Sequence, residues 1–155
     1  MAKDKKNNYS NSISIKNKRA SFEFEFLDKF SCGMSLKGSE VKSIRMGRAT
    51  LGESYCFLHE GEIFIKNMNI APYENGSYAN HEPTRLRKLL LQKKEINKIE
   101  RKLQDVGITL VPLRLYSSDR GLMKLEIAVA KGKKLHDKRN SIKDRDVQRD
   151  ADRKY

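Results

Sequence analysis

The sequence predicts a mainly β chain with helices: a small, mostly antiparallel barrel with helices packed on it, and a basic C-terminal tail that is disordered when free. Three observations predict this class. Apolar and polar residues alternate in several short runs, the period-2 signature of half-buried strands. These runs do not alternate regularly with helical segments, so a parallel βαβ sheet is disfavoured and an antiparallel sheet curling on itself is preferred. Charge gathers at the two ends. Of a formal net charge of +13 over 155 residues, residues 1–21 hold six basic and one acidic side chain, and residues 131–155 hold ten and five. A near-neutral body with basic ends points to a polyanionic partner. The length fits one compact domain.

Residues 1–19, rich in Lys, Asn and Ser, carry too little apolar surface to offset ordering entropy and read as a mobile basic arm. The folded body is expected over 20–130. It begins with Phe22, Phe24 and Phe26 alternating with Ser21, Glu23 and Glu25 as a strand. A short helix follows, capped by Ser39, with Glu40 near its positive end and Gly47 at its close. Its Lys42 and Arg45, with Arg48 three further on, predict one basic stripe. Tyr55–His59 and 62–65 flank Glu60-Gly61 as a hairpin. Pro72, Gly76 and Pro83 mark 72–84 as a long loop.

Helical sequence is expected to return at Thr84, with Leu86, Leu89 and Leu90 forming a short amphipathic turn set. Ile96, Ile99, Leu103 and Val106 then line a longer helix ending at Gly107. Its outer face of Lys93, Lys94, Lys98, Arg101 and Lys102 is of the kind that is ordinarily only solvated. Val111, Leu113 and Leu115 predict a strand in which Pro112 demands an edge or a bulge. In the last strand Met123, Leu125, Ile127 and Val129 point inward while Lys124 and Glu126 point out. From Lys131 the apolar supply nearly stops, and 131–155 reads as a tail that orders on a phosphate surface.

Several functions are disfavoured. No apolar run approaches the roughly 20 residues a bilayer requires. Met1-Ala2-Lys3-Asp4-Lys5-Lys6 leads into Asn and Ser rather than an apolar core, so a cytoplasmic chain without a secretory signal is expected. Cys32 and Cys56 lack CxxC spacing and read as reduced, packed thiols. His59, His81 and His136 are scattered, and no glycine-rich phosphate loop occurs, so neither metal nor cofactor is expected. The residues favour a non-enzymatic RNA binder that reads shape and backbone through Lys, Arg and a few stacked bases.

Four strings sharpen this: Asn17-Lys18-Arg19-Ala20; Gly38-Ser39-Glu40-Val41-Lys42-Ser43; Pro83-Thr84-Arg85 with Arg87-Lys88-Leu89-Leu90-Leu91; and Lys131-Gly132-Lys133-Lys134 with Asp137-Lys138-Arg139. In this order and spacing, over nearly the whole length, the chain resembles the tmRNA-binding (SsrA-binding, small protein B) family of bacteria. The resemblance implies an oligonucleotide-binding barrel that holds the tRNA-like part of tmRNA. It implies delivery of alanyl-tmRNA, with elongation factor Tu, to stalled ribosomes, where the tail enters the decoding centre and the vacant mRNA channel. The nascent chain is then tagged and the ribosome freed.

Carried over by position, Gly38, Glu40, Lys42, Ser43, Leu91 and Lys124 would lie at or support the tmRNA face. Lys131, Lys133, Lys134, His136, Asp137, Lys138, Arg139, Arg145, Arg149 and Arg153 would meet the ribosome. Two positions depart from the family pattern. Ser31 stands where a Glu is common, and Lys93 where His or Asn is usual. A ribosomal or ribosome-assembly protein that binds rRNA is the rival reading, and an RNA-processing enzyme a third.

Overall fold

The computed structural model describes residues 13–73 and 80–133. Nine strands and three helices follow one another in this part of the chain: β1 (Ser14–Lys16), α1 (Lys18–Glu23), β2 (Phe24–Met34), α2 (Gly38–Arg45), β3 (Ala49–Thr50), β4 (Tyr55–His59), β5 (Glu62–Lys66), β6 (Asn69–Ile70), β7 (Arg87–Leu90), α3 (Lys93–Leu103), β8 (Ile108–Ser117) and β9 (Met123–Gly132). The main sheet runs β1-β8-β4-β5-β7-β2-β9, and β8 also pairs with β9. Every pairing is antiparallel, so β8, β4, β5, β7, β2 and β9 close into a ring and leave no long free edge. β3 and β6 form a separate two-stranded ribbon.

The barrel interior takes alternate side chains from each strand. Ile63, Ile65, Leu89, Leu110, Leu115, Leu125 and Ile127 are fully buried there, together with Ile44 of α2 and Ile99 of α3. A second, smaller cluster lies beneath α1, where Ala20 packs with Val111, Leu113, Ala128 and Ala130, flanked by Phe24 and Phe26. The hairpin β4–β5 turns at Glu60 and Gly61, whose φ values of 50° and 75° are both left-handed, as a tight hairpin turn requires. The expected irregularity at Pro112 is present, since the β8–β9 register shifts between Pro112 and Arg114.

Three expectations are corrected. Ordered chain begins before residue 20: β1 pairs with Tyr116, Leu115 and Arg114 of β8, and α1 starts at Lys18. The Asn17 side chain accepts from the Ala20 N–H (3.3 Å) and donates to the Pro112 carbonyl (2.9 Å), so Phe22 falls on a helix and the strand starts only at Phe24. The rest of the predicted arm, 1–12, lies outside the described residues. Residues 87–90 are a strand, not a helical turn, because Arg87 is buried alongside Leu89 and the inward set is one cation and one leucine two apart. The third correction concerns α3, which stops at Leu103; Val106 is 99% exposed and contributes nothing to the core. Thiols Cys32 and Cys56 are free and buried, and burial pushes the Cys32 thiol up to about 12.

Candidate nucleic-acid interface

α2 is held in place from below by one carboxylate. Glu40 lies in its first turn and is completely buried. Its Oε1 accepts from the Lys37 N–H (2.8 Å) and from Arg85 Nε and Nη2 (2.9 and 2.5 Å), and its Oε2 accepts from Arg87 Nε. Arg87, equally buried, also donates to the carbonyls of Met68 (2.7 Å) and Pro83 (3.1 Å), while Arg85 reaches the Ser35 carbonyl (3.1 Å). Burial alone would raise the Glu40 carboxyl. The hydrogen bonds from Arg85, the Lys37 backbone and Arg87 outweigh it, and the carboxyl stays below its usual range. Burial lowers the Arg87 guanidinium somewhat, against the opposing pull of Glu40.

A second clamp joins the helix, through His81, to β6. His81 Nε2 lies 2.8 Å from the Ile70 carbonyl, which can only accept, so Nε2 carries the proton. Nδ1 lies 2.9 Å from the Ser39 hydroxyl, within hydrogen-bond distance. Ser39 therefore braces α2 from within its first turn instead of capping it; the cap position is Lys37.

With α2 fixed, its Val41 and Arg45, the end of β2 and the start of β9 line an open pocket of about 370 Å³. Met34, Leu36, Val41 and Met123 line its wall, and Arg45 and Lys124 stand among the lining residues as its cations. Leu90 and Leu122, 52% and 60% exposed, add an apolar lip. An apolar recess with two cations can take a nucleobase against its wall and the adjoining phosphates at its rim.

The expected tmRNA-face residues divide between surface and support. Lys124 is at the pocket, and Gly38 is exposed at the start of α2, where an added Cβ would meet nothing within 4 Å. Lys42 is exposed, with its ammonium 5.3 Å from the Tyr73 ring. Leu91 is half-buried against the core. Glu40 and Ser43 are fully buried beneath the surface; the Ser43 hydroxyl has no hydrogen-bond partner among the described residues. Arg45, Leu90 and Leu122 complete the pocket and were not expected there. Arg45 had a signal in its spacing from Lys42, whereas Leu122 had none. The predicted stripe does not extend to Arg48, which lies beyond the helix end and the left-handed Gly47 (φ 74°).

Ser31 is exposed and shares a hydrogen bond with the Tyr116 hydroxyl, and the Arg114 guanidinium lies 4.5 Å from the Tyr116 ring. On α3, Lys98 and Lys102 are both drawn to Asp28 (3.1 and 2.8 Å), so part of that charged face is structural. The first residues of the expected tail lie on the barrel. Lys131 and Gly132 belong to β9, and Lys133 donates from its N–H to the Glu23 carbonyl (2.9 Å) and from Nζ to the Ser21 carbonyl (3.0 Å). Lys134, His136, Asp137, Lys138, Arg139, Arg145, Arg149 and Arg153 lie outside the described residues. Among the described residues no group of three or more His, Cys, Asp or Glu is disposed to hold a metal ion, and no helix is long and apolar enough to cross a membrane.

The family model described as SmpB protein matches residues 14–155. The chain belongs to the SmpB family. An SsrA-binding protein of Phocaeicola vulgatus is 52% identical over 143 residues, covering 92% of this chain and 95% of its own. Another from Bacteroides thetaiotaomicron is 51% identical over 144 residues, with 93% and 96% covered. A chain in the solved structure "tmRNA-SmpB: a journey to the center of the bacterial ribosome" superposes with a TM-score of 0.67 at 41% identity, covering 83% of this chain and 94% of that one. The SmpB match begins at the first residue of β1, in agreement with ordered chain before residue 20.

Proposed function

We propose that this chain is a non-enzymatic adaptor of trans-translation, which binds the tRNA-like part of tmRNA and brings it to stalled ribosomes in the cytoplasm. What carries the reading is the joining of family membership to a solvent-open apolar pocket lined in part by Arg45 and Lys124, beside a helix locked by a buried carboxylate. Gly38, Lys42 and Lys124 face the RNA, with Leu91 beside them. Glu40 and Ser43 act from beneath, by holding α2.

The tail supplies the ribosomal half of the function. Lys131 and Lys133 root it on the barrel. From Lys134 onward, its residues His136, Asp137, Lys138, Arg139, Arg145, Arg149 and Arg153 meet the decoding centre and the empty mRNA channel, so that tagging resumes on the tmRNA frame. Alanyl-tmRNA arrives with elongation factor Tu. The adaptor itself breaks no bond and needs no cofactor.

Sequencing the RNA that co-purifies with the native chain tests the reading. tmRNA should be enriched far above its cellular share, with the protein substoichiometric to ribosomes. Stoichiometric recovery on ribosomes with no tmRNA enrichment would overturn it in favour of a ribosomal protein.

A further inference from the structure

A second cleft, of about 260 Å³, opens on the same barrel where β1, α1, β2 and β8 meet. Lys16, Lys18, Lys29 and Arg114 converge on it from those four elements, over a floor that includes Phe26 and Leu113. One carboxylate, Glu126, shares the cleft and already faces Arg114 at 3.7 Å. Lys16, Lys18 and Lys29 have no carboxylate partner among the described residues, whereas Lys88 pairs with Glu62 and Lys98 and Lys102 share Asp28.

The strand register makes this arrangement costly. Lys16 lies directly opposite Arg114 in the β1–β8 pair, so two cations share one face with Cβ atoms about 5 Å apart. Like charges so placed destabilise a sheet, and a local conflict of this kind is characteristic of sites that serve a ligand. The ligand that relieves it is anionic.

Its position names which anion. From the cleft, the outer face of β2, β9 and β8 leads back to the first pocket without interruption. Glu126 is the register partner of both Arg114 and Ser31, Ser31 bonds to Tyr116, and Tyr116 and Gly33 both pair with Lys124. Lys29 and Gly33 are four residues apart on β2, about 13 Å. A chain of phosphates leaving the Lys124 pocket reaches the cleft within a few nucleotides.

We infer that the cleft formed by Lys16, Lys18, Lys29 and Arg114 is a second subsite for the same tRNA-like RNA, taking its sugar–phosphate backbone where it runs on from the Lys124 pocket. The inference rests on the tmRNA-binding reading. Lysine side chains here give charge without base selectivity, so the cleft adds affinity and salt dependence while specificity stays with the first pocket.

The triple variant Lys16→Ala/Lys18→Ala/Lys29→Ala tests it, with Lys66→Ala/Lys94→Ala/Arg101→Ala at exposed positions outside both pockets as the charge-matched control. Binding of the full chain to the isolated tRNA-like half of tmRNA is measured across a salt series, and binding to small ribosomal subunits free of tmRNA is measured in parallel. Loss of three phosphate contacts should lower the slope of log K against log salt by about two and weaken binding at 0.1 M salt by tenfold or more. The control should change the slope by less than half as much. An unchanged slope on the RNA, or a loss confined to ribosomal subunits, would overturn the inference and leave the tmRNA reading intact. If the unsubstituted chain itself failed to bind the tRNA-like RNA, both would fall.

Discussion

Replacing Glu40 by alanine removes the acceptor of four hydrogen bonds and leaves Arg87 buried with its charge uncompensated. Two carbonyls, of Met68 and Pro83, still accept hydrogen bonds from it, but neither carries charge. Breaking a buried ion pair by deleting one partner costs about 3–5 kcal/mol. That is a large share of the roughly 5–15 kcal/mol that keeps a domain folded. For a chain of this size each kcal/mol moves the midpoint by about 2–4 °C, so a fall in Tm of roughly 6–20 °C is expected.

The chain has no Trp, so urea and thermal unfolding are best followed by far-UV circular dichroism. The same network predicts the acid limb. The Glu40 carboxyl is held below its ordinary value in the fold, so its contribution is fully present above the unfolded pKa, about 4.3, and is lost as pH falls through the folded value. Glu40→Gln, which has no such proton to take up, should therefore show a shallower loss of stability than the parent as pH falls below about 4.3. A Glu40→Ala cost below about 1 kcal/mol, or parallel acid limbs, would refute the claim that this carboxylate holds α2 through Arg87.

Other outcomes follow from the same geometry. Lys124→Glu should weaken binding to the tRNA-like RNA at moderate salt by well over tenfold in a filter or fluorescence titration, with Tm nearly unchanged; equal affinity would remove Lys124 from the interface. Ending the chain after Lys133 should preserve RNA affinity while abolishing tagging on stalled ribosomes in a reconstituted translation assay, and equal loss of both would contradict a divided protein. Asp28→Asn frees Lys98 and Lys102 but should cost only about 0–1 kcal/mol by urea unfolding, because the cluster is solvent-facing. Cys32 and Cys56, both buried and with thiols raised by desolvation, should resist alkylation at pH 8 in the native chain and react together on unfolding.

Much of the barrel is readable in the sequence where one period dominates. The Met123, Leu125, Ile127 and Val129 alternation is the inward face of β9, and Ile96, Ile99 and Leu103 line α3. Where the reading fails, a polar group occupies a core position or backbone pairing replaces side-chain burial. Arg87 is a buried cation in β7, which hides a period of two and leaves Leu86, Leu89 and Leu90 at helical spacing. β1 has three residues of which only Ile15 packs on the core, and its ladder to β8 leaves no compositional trace. The Phe22, Phe24 and Phe26 alternation is real, but the Asn17 cap draws Phe22 into α1.

The same distinction separates the two kinds of site residue. Lys124 is legible as an outward lysine because it holds the polar position of an apolar–polar alternation. The role of Glu40 is not, because its partners Arg85 and Arg87 lie 45 and 47 residues away and meet it only after β7 pairs with β2 and β5. A carboxylate at a helix start is ordinarily a modest dipole effect at the surface. Here the closed sheet converts it into the fixed point on which α2, the Ser35 segment and the Pro83 end of the loop all converge. Selection at position 40 would then act on the placement of Arg45, Lys42 and Gly38 relative to Lys124. On the proposed reading, a carboxylate buried beneath the helix would thereby be as necessary to RNA binding as Lys124 at the pocket.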